Sequence, residues 1–465
     1  MTCDGPIMVV VVPFPAQSHL NQLLHLSRLI SARNIPVHYV GATVHNCQAK
    51  ARIHGWDPSE LTNLHFHDFD IPSIPSPLPD PMAETKFPAH LIPSFQTVTV
   101  HLRSPLTHLL RSFSSYARRI IVIHDSLMAF TVEDINSIPN VESYNFHSVS
   151  AFTLAVYDLE TKQINGNKNS IIKDLNVPSL DGCFTPEFLE FVELQYGIPI
   201  KYCGNLYNTC KAIEEPYLEI LQSINHETRH WAIGPLNPVE LGSLRHSHPC
   251  YEWLDQQEID SVVYVSFGTT TTLEDEQIAE IAGGLEKSGQ KFIWVLRDAD
   301  KGNVFDGEVR RSKLPEGFER RVSGRGLVVR DWAPQLEILS HPSTGGFVSH
   351  CGWNSCMESI AMGVPIAAWP MHSDQPRNAV LITEMLRVGL LIRDWANRNE
   401  IVMATTIENA VRKLMASGEG QEMRKVANEL ATALRRSVAN GGVSRVEFDS
   451  FISHITRDIN VVCSC

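Results

Sequence analysis

Residues 345–355 read GGFVSHCGWNS, and the stretch continues through Cys356 and Met357 to Glu358. Gly346–Ser349 has the small and apolar residues of a buried strand end, and the polar residues after Gly352 open a helix. A strand that passes through a glycine turn directly into a helix is the repeating join of an open parallel sheet. Ligands bind there, beyond the carboxyl ends of the strands. The first turn of such a helix presents free N–H groups and partial positive charge, which suits a diphosphate. His350, Asn354 and Ser355 add donors at that place. The same letters, taken alone, also describe an ordinary strand–turn–helix connection.

The pattern repeats in both directions from this point. Val262–Ser266, Lys291–Leu296, Leu327–Arg330 and Ile366–Trp369 read as further strands with helices between them, and Ser266-Phe267-Gly268-Thr269 is a second glycine turn at a strand end. Nearer the N-terminus, Ile7–Pro13, Val37–Ala42, Arg119–Asp125 and Glu142–Phe146 read as strands. Leu20, Leu23, Leu24 and Ile30 carry near-helical spacing after the first of them. Between the two series, strand-like His230–Gly234 gives way to Pro235-Leu236-Asn237-Pro238 and a polar stretch ending at Pro249. The expected architecture is therefore α/β, two doubly wound domains facing each other across a cleft. The domains expected are 1–240 and 250–442, joined by a linker at 241–249, with a helix in 443–465 (pattern Val443–Ile459) packing back on the first. Ile71–Met82, with five prolines, and polar Thr161–Gly182 read as long loops. Asp298–Arg325 reads as a charged connection with no obvious core.

Composition removes several function classes. The 465 residues are 43% hydrophobic and 20% charged, with a formal net charge of -13, which favours neither nucleic acid nor an anionic membrane surface. Ile7–Val12 lacks the basic leader and the Ala-x-Ala site of a signal peptide, and no segment approaches the roughly 20 apolar residues of a membrane span. Ten cysteines in such a chain make no dense disulfide framework. Neither Cys203 with Cys210 nor Cys351 with Cys356 has Cys-x-x-Cys spacing, and Val462 stands where a prenylation box ending Cys463-Ser464-Cys465 would need cysteine. A cytoplasmic monomer is expected. A nicotinamide fingerprint is missing, since Gly324-Arg325-Gly326 lacks the third glycine and precedes a strand. His65, His67 and Asp68 form a cluster without a distant fourth ligand, read as structural.

Group transfer to an alcohol needs a base, because the hydroxyl is a poor nucleophile until its proton is taken. His19 stands just after the first strand, where a helix begins. Asp125 ends Arg119–Asp125 and could hydrogen-bond the far nitrogen of that imidazole, fixing its tautomer. His124 alternates to the opposite face. By itself, a histidine in this position also reads as a capping or packing residue.

Trp332–Gln375 (WAPQLEILSHPSTGGFVSHCGWNSCMESIAMGVPIAAWPMHSDQ) resembles, along nearly its whole length, the nucleotide-sugar box of plant secondary-product UDP-glycosyltransferases. Trp231-Ala-Ile-Gly-Pro235, Trp253-Leu254-Asp255 and Val262–Thr269 support the resemblance, which covers most of the chain. The first 70 residues and Val265–Leu273 look closer still to the zeatin O-glucosyltransferases of that family. The resemblance implies two facing Rossmann-like domains of the GT-B type and transfer from a UDP-sugar with inversion. It implies no cofactor and no metal, the helix terminus replacing a divalent ion. Trp332 would stack on uracil and Gln335 would hydrogen-bond the uridine. Glu358 would accept both ribose hydroxyls. His350, Asn354, Ser355, Ser266 and Thr269 would hold the diphosphate, with Ala333, Gly352 and Trp353 in the same donor set. Asp374 and Gln375 would bind sugar hydroxyls, the glutamine being associated with glucose; xylose is the competing sugar. His19 and Asp125 take the roles of base and partner. Two positions depart from the family pattern, Ser18 for a glycine before the base and Thr269 for a serine. The partners expected are UDP-glucose and a small apolar acceptor, a zeatin-type cytokinin, with flavonoids and other phenolics as the alternative. Its pocket is expected from the loops around Pro72–Met82, Phe87–Phe95, Phe146–Phe152 and Phe184–Leu194. A non-catalytic UDP-sugar-binding protein is the rival from another class, and it would be free to lose His19 or Asp125.

Overall fold

The structure, a computed structural model, describes residues 5–53, 55–56, 62–161, 177–241, 248–306 and 310–458. Residues 242–247 of the expected linker, 162–176 of the expected Thr161–Gly182 loop and Cys463-Ser464-Cys465 lie outside the described residues. Strand β1 (Ile7–Val12) explains the first layer. Met8, Val10 and Val12 pack into one apolar cluster while Val9 and Val11 pack into another, so a continuous apolar run is covered on both faces. It is joined by β2 (Val37–Ala42), β3 (Leu64–Phe69), β4 (Arg119–Asp125), β5 (Val141–His147), β6 (Tyr202–Tyr207) and β7 (Arg229–Ala232). The seven strands lie in the order β3-β2-β1-β4-β5-β6-β7, each neighbouring pair parallel.

The second sheet contains β8 (Val262–Ser266), β9 (Lys291–Val295), β10 (Gly326–Val329), β11 (Thr344–Ser349), β12 (Ile366–Ala368) and β13 (Gly389–Leu391). Its six strands run β10-β9-β8-β11-β12-β13, again parallel throughout. Val263 and Val265 face one cluster and Val262 and Tyr264 the other. The molecule thus has two Rossmann-like domains with a cleft between them.

Three strands are absent from the sequence expectation: β3, β6 and β13. LHFHDF and YCGNLY are only partly buried and GLL is three residues long. Strands at or near a sheet edge do not read as apolar runs. The Asp298–Arg325 connection also differs from expectation, because Phe318 in it is buried against Phe292 and Trp294.

The chain ends by returning to the first domain. The helix Val443–Thr456 places Phe448, Phe451 and Ile455 in the cluster that holds Val9 and Val11. The Phe451 ring stands edge-on to Tyr144 at 5.5 Å and to Trp231 at 5.4 Å. Arg119 Nη1 donates to the Ile455 carbonyl at 3.0 Å, closing the end of the helix. No helix among the described residues is long and apolar enough to cross a membrane. Phe451→Ala removes a fully buried ring from this seam. It should lower the stability of the first domain by about 3–5 kcal/mol, read as a shift of the urea midpoint.

Candidate functional site

In each sheet the strand order reverses once, between β1 and β4 in the first and between β8 and β11 in the second. These are the places where the loops leaving adjacent strands part and leave a crevice. His19 lies on the first turn of the helix Gln17–Ser31 that leaves β1, and Asp125 is the last residue of β4. Since β1 and β4 are hydrogen-bonded neighbours, the two side chains meet: His19 Nδ1 is 2.7 Å from Asp125 Oδ2. Asp125 is fully buried and also accepts from Ser148 Oγ at 2.7 Å and from the Leu127 N–H at 3.0 Å. Burial alone pushes its carboxyl up; the imidazole of His19 and these hydrogen bonds outweigh burial and hold it below the usual carboxylate range. It therefore stays ionised and orients the ring through Nδ1. His19 keeps 19% of its side chain exposed. His124 alternates away and bonds the Asp125 carbonyl.

The reversal in the second domain carries the other candidate residues. The helix Trp353–Met362 begins at Gly352 with no side chain capping its first N–H groups, so its positive end is unsatisfied within the protein. His350, at the end of β11, packs between two glycines. A Cβ added at Gly268 would come within 2.5 Å of its Nε2, and one at Gly352 within 2.6 Å. Burial pushes the His350 imidazole down to about 4, a backbone hydrogen bond at Ser266 opposing the shift only in part, so it is neutral at pH 7. Ser266 Oγ accepts from Gly268 N at 3.4 Å, holding the first glycine turn. Thr269 follows in the same turn, its carbonyl accepting from Asp300 N at 2.7 Å.

Glu358 lies one turn along that helix. Its Oε1 accepts from Asn354 Nδ2 at 2.7 Å and its Oε2 from Gln335 Nε2 at 2.8 Å, and Gln335 also donates to Ser355 Oγ. Burial raises the Glu358 carboxyl to about 7. Asp374 accepts from Asn378 Nδ2 at 2.7 Å, and burial raises its carboxyl too, with His19 close enough to pull it part of the way back. Gln375 Oε1 accepts from the N–H groups of Met371 at 2.9 Å and His372 at 3.0 Å. Two of the expected residues do not bring side chains to this place. Ala333 lies in the core with Ile338 and Leu339. The Trp353 indole donates to the Asn208 carbonyl of the first domain at 2.9 Å, so both side chains are taken up inside the protein.

Several neighbours were not legible. Arg52, from the first domain, lies with Cζ 4.6 Å from the centre of the Trp332 ring and clasps Asp300 at 2.5 and 3.0 Å. Its only sequence signal is a single basic residue after a helix. His372 bonds Thr270 Oγ1 through Nε2 at 3.2 Å and is pushed down by burial to about 3. An aromatic wall runs from the first domain to the second. Phe14 stands 5.1 Å from His19 and 6.0 Å from Phe191, which stacks on Phe188. Phe87 then links Phe188, at 4.7 Å, to His372, at 5.8 Å. Phe95 and Phe184 belong to the same wall through Phe14 and Phe188. The Phe146–Phe152 stretch does not: Phe146 is in β5 and Phe152 in the helix Ala151–Thr161, both fully buried in separate cores, so neither ring lines an acceptor pocket. Among the described residues no group of three or more histidine, cysteine or acidic side chains is placed to hold a metal ion.

Comparison with known proteins agrees with this geometry. Residues 5–238 match the family described as glycosyltransferase, N-terminal domain, and residues 243–423 match UDP-glucoronosyl and UDP-glucosyl transferase. The chain is 55% identical over 460 residues to a zeatin O-glucosyltransferase of Phaseolus lunatus, covering 98% of each. It is 53% identical to a zeatin O-xylosyltransferase of Phaseolus vulgaris, covering 98% of this chain and 99% of that one. Phytolacca americana UGT2, solved with UDP-2fluoro-glucose and pterostilbene, superposes with a TM-score of 0.74 at 26% identity, covering 98% of this chain and all of that one. Two switch-point sites facing one cleft, on a chain matched over nearly its full length, make it a member of the plant UDP-glycosyltransferase family, a UDP-sugar-dependent transferase of the GT-B fold.

Proposed function

We propose that the enzyme moves glucose from UDP-glucose, with inversion and without a metal, to a hydroxyl of a zeatin-type cytokinin. The observation that carries this reading is the His19–Asp125 pair at one switch point, set across the cleft from an uncapped helix end at the other. His19 Nε2 takes the acceptor's hydroxyl proton as its oxygen attacks the sugar's anomeric carbon. The bond from that carbon to the diphosphate oxygen breaks, and its electron pair leaves on UDP. Asp125 stabilises the imidazolium so formed.

On the donor side, uracil lies on Trp332 with Gln335 beside it, and the ribose hydroxyls donate to Glu358. The diphosphate takes the free N–H groups at Gly352–Asn354, together with His350 and the hydroxyls of Ser266, Thr269 and Ser355. Asp374 and Gln375 meet the sugar. The names of the two Phaseolus relatives support a zeatin acceptor but divide on the sugar. Gln375 favours glucose, since a reversed ring hydroxyl would leave a buried group unpaired at about 1–3 kcal/mol. The rings of the aromatic wall are themselves nearly all buried in a core cluster and do not choose between acceptors, so specificity constants for zeatin against a flavonoid panel decide its identity. Turnover of a flavonoid with none of zeatin would remove the cytokinin reading. Binding of UDP-glucose without turnover of any acceptor would leave only a sugar-binding protein.

His19→Ala should cut turnover roughly 100- to 10,000-fold with UDP affinity unchanged by calorimetry, and Asp125→Asn should lose less. Near-normal turnover of an aliphatic alcohol by His19→Ala would remove the base assignment. Trp332→Ala should weaken UDP by about 1–3 kcal/mol. The raised Glu358 carboxyl gives a pH signature. Below about pH 7 it is protonated in the free enzyme and cannot accept both ribose hydroxyls; above that pH it can. UDP affinity should therefore rise about tenfold from pH 6 to pH 8 with proton release, and Glu358→Gln should flatten that rise.

A further inference from the structure

Arg393 follows the edge strand β13 and is 7% exposed, yet no carboxylate pairs with it among the described residues. A guanidinium buried without a counter-ion is destabilising, so packing alone does not account for it. Its hydrogen bonds reach two segments of chain. Nη2 donates to the Pro370 carbonyl at 2.6 Å and lies 3.2 Å from Met371 Sδ, while Nη1 donates to the Arg398 carbonyl at 3.1 Å. Bonds from a charged donor are about twice as strong as neutral ones, and the one to Pro370 falls on the chain leading into Asp374 and Gln375.

That chain needs support. Behind it lies a cavity of about 580 Å³ between the domains, lined by Trp369, Met371, Phe184, Lys86, Trp395 and Arg393 itself. With space at its back, the Pro370–Gln375 turn is held by Arg393 at Pro370, by Thr270 and Phe87 at the His372 ring, by the bond from Ser373 N to the Cys183 carbonyl, 2.8 Å, and by Asn378 at Asp374. The turn in turn sets the Gln375 amide. Met371 N and His372 N both donate to Oε1, while Nε2 lies 3.3 and 3.4 Å from the two ring nitrogens of His372, so the turn decides how the amide is presented. If Pro370 is released, the turn can relax into the cavity, the two N–H groups separate, and the amide loses the bonds that fix which end it presents.

We propose that Arg393 is a positioning residue for the donor sugar, fixing the Pro370–Gln375 turn and through it the hydroxyl pattern that the enzyme accepts. This rests on the reading above that Asp374 and Gln375 face the sugar. The test is steady-state kinetics of full-length Arg393→Met and Arg393→Lys with UDP-glucose, UDP-xylose and UDP-galactose, alongside calorimetry with UDP. The expected result for Arg393→Met is UDP affinity within twofold of the parent and a fall of tenfold or more in kcat/KM for UDP-glucose. The preference for UDP-glucose over UDP-galactose should narrow at least fivefold, and Arg393→Lys, which keeps a charged donor, should recover part of it. A uniform loss across the three sugars, with UDP affinity falling in step, would mean a purely structural role and overturn the proposal. So would unchanged sugar ratios. Should the methionine variant not fold, the lysine variant decides, since its shorter reach must still narrow the ratios measurably. A parent enzyme that turns over none of the three donors takes both readings down, whereas a discriminating parent with an indifferent variant removes only Arg393.

Discussion

Parallel strands must be joined by crossovers, and the crossovers place the carboxyl ends of all strands on one edge of the sheet. Everything functional in this chain follows from that constraint applied twice. The order of each sheet reverses once, so each has a single place where two neighbouring strand ends lead to diverging loops. In the first domain the hydrogen-bond register between β1 and β4 brings a helix-start histidine to a strand-end aspartate. In the second, the pairing of Ser266 with Ser349 between β8 and β11 sets two glycine turns around one buried imidazole. Neither site needs a long-range coincidence of loops.

Burial then divides the ionisable groups by their partners. Asp125 and Asp300 are both buried, and both stay in the charged form because cationic or donating neighbours outweigh the desolvation. Glu358 has no cation among its neighbours, only the neutral amides of Gln335 and Asn354 and the Glu337 carboxylate, and its carboxyl rises instead. The same solvent exclusion leaves His350 and His372 neutral. The donor side is thus short of fixed cationic charge, and the free N–H groups of the helix end are the main positive feature offered to a diphosphate.

What was legible in the sequence was whatever lies in one strand–turn–helix unit. The buried strands β1, β4, β8 and β11 show as apolar runs because both faces are covered, and the residues just past them carry the site. The edge strands β3 and β13 were hidden because an edge needs no such run. Phe146 and Phe152 misled because aromatic residues near strand ends fill cores as readily as pockets. Arg52 and Arg393 were not legible for a different reason. Each acts on residues far away in sequence, Arg52 on Trp332 and Arg393 on Pro370, and no local pattern encodes the meeting.

That difference bears on how the two domains work together. The residues proposed to hold the donor belong to the second domain, yet the first reaches them at several points. Arg52 covers a face of Trp332, Asn208 takes the Trp353 indole, and Ser150 Oγ donates to Asn378 Oδ1 at 2.8 Å. Asn378 passes this on, since its Nδ2 donates to Asp374 and to the Cys351 carbonyl beside the helix end. Ser148, two residues before Ser150, holds Asp125. One short segment after β5 therefore touches both the partner of His19 and the support of the sugar-side carboxylate. A displacement of one domain against the other must disturb both sides of the cleft at once, so the spacing between the proposed base and the proposed donor residues is set by the interface itself rather than by either domain alone.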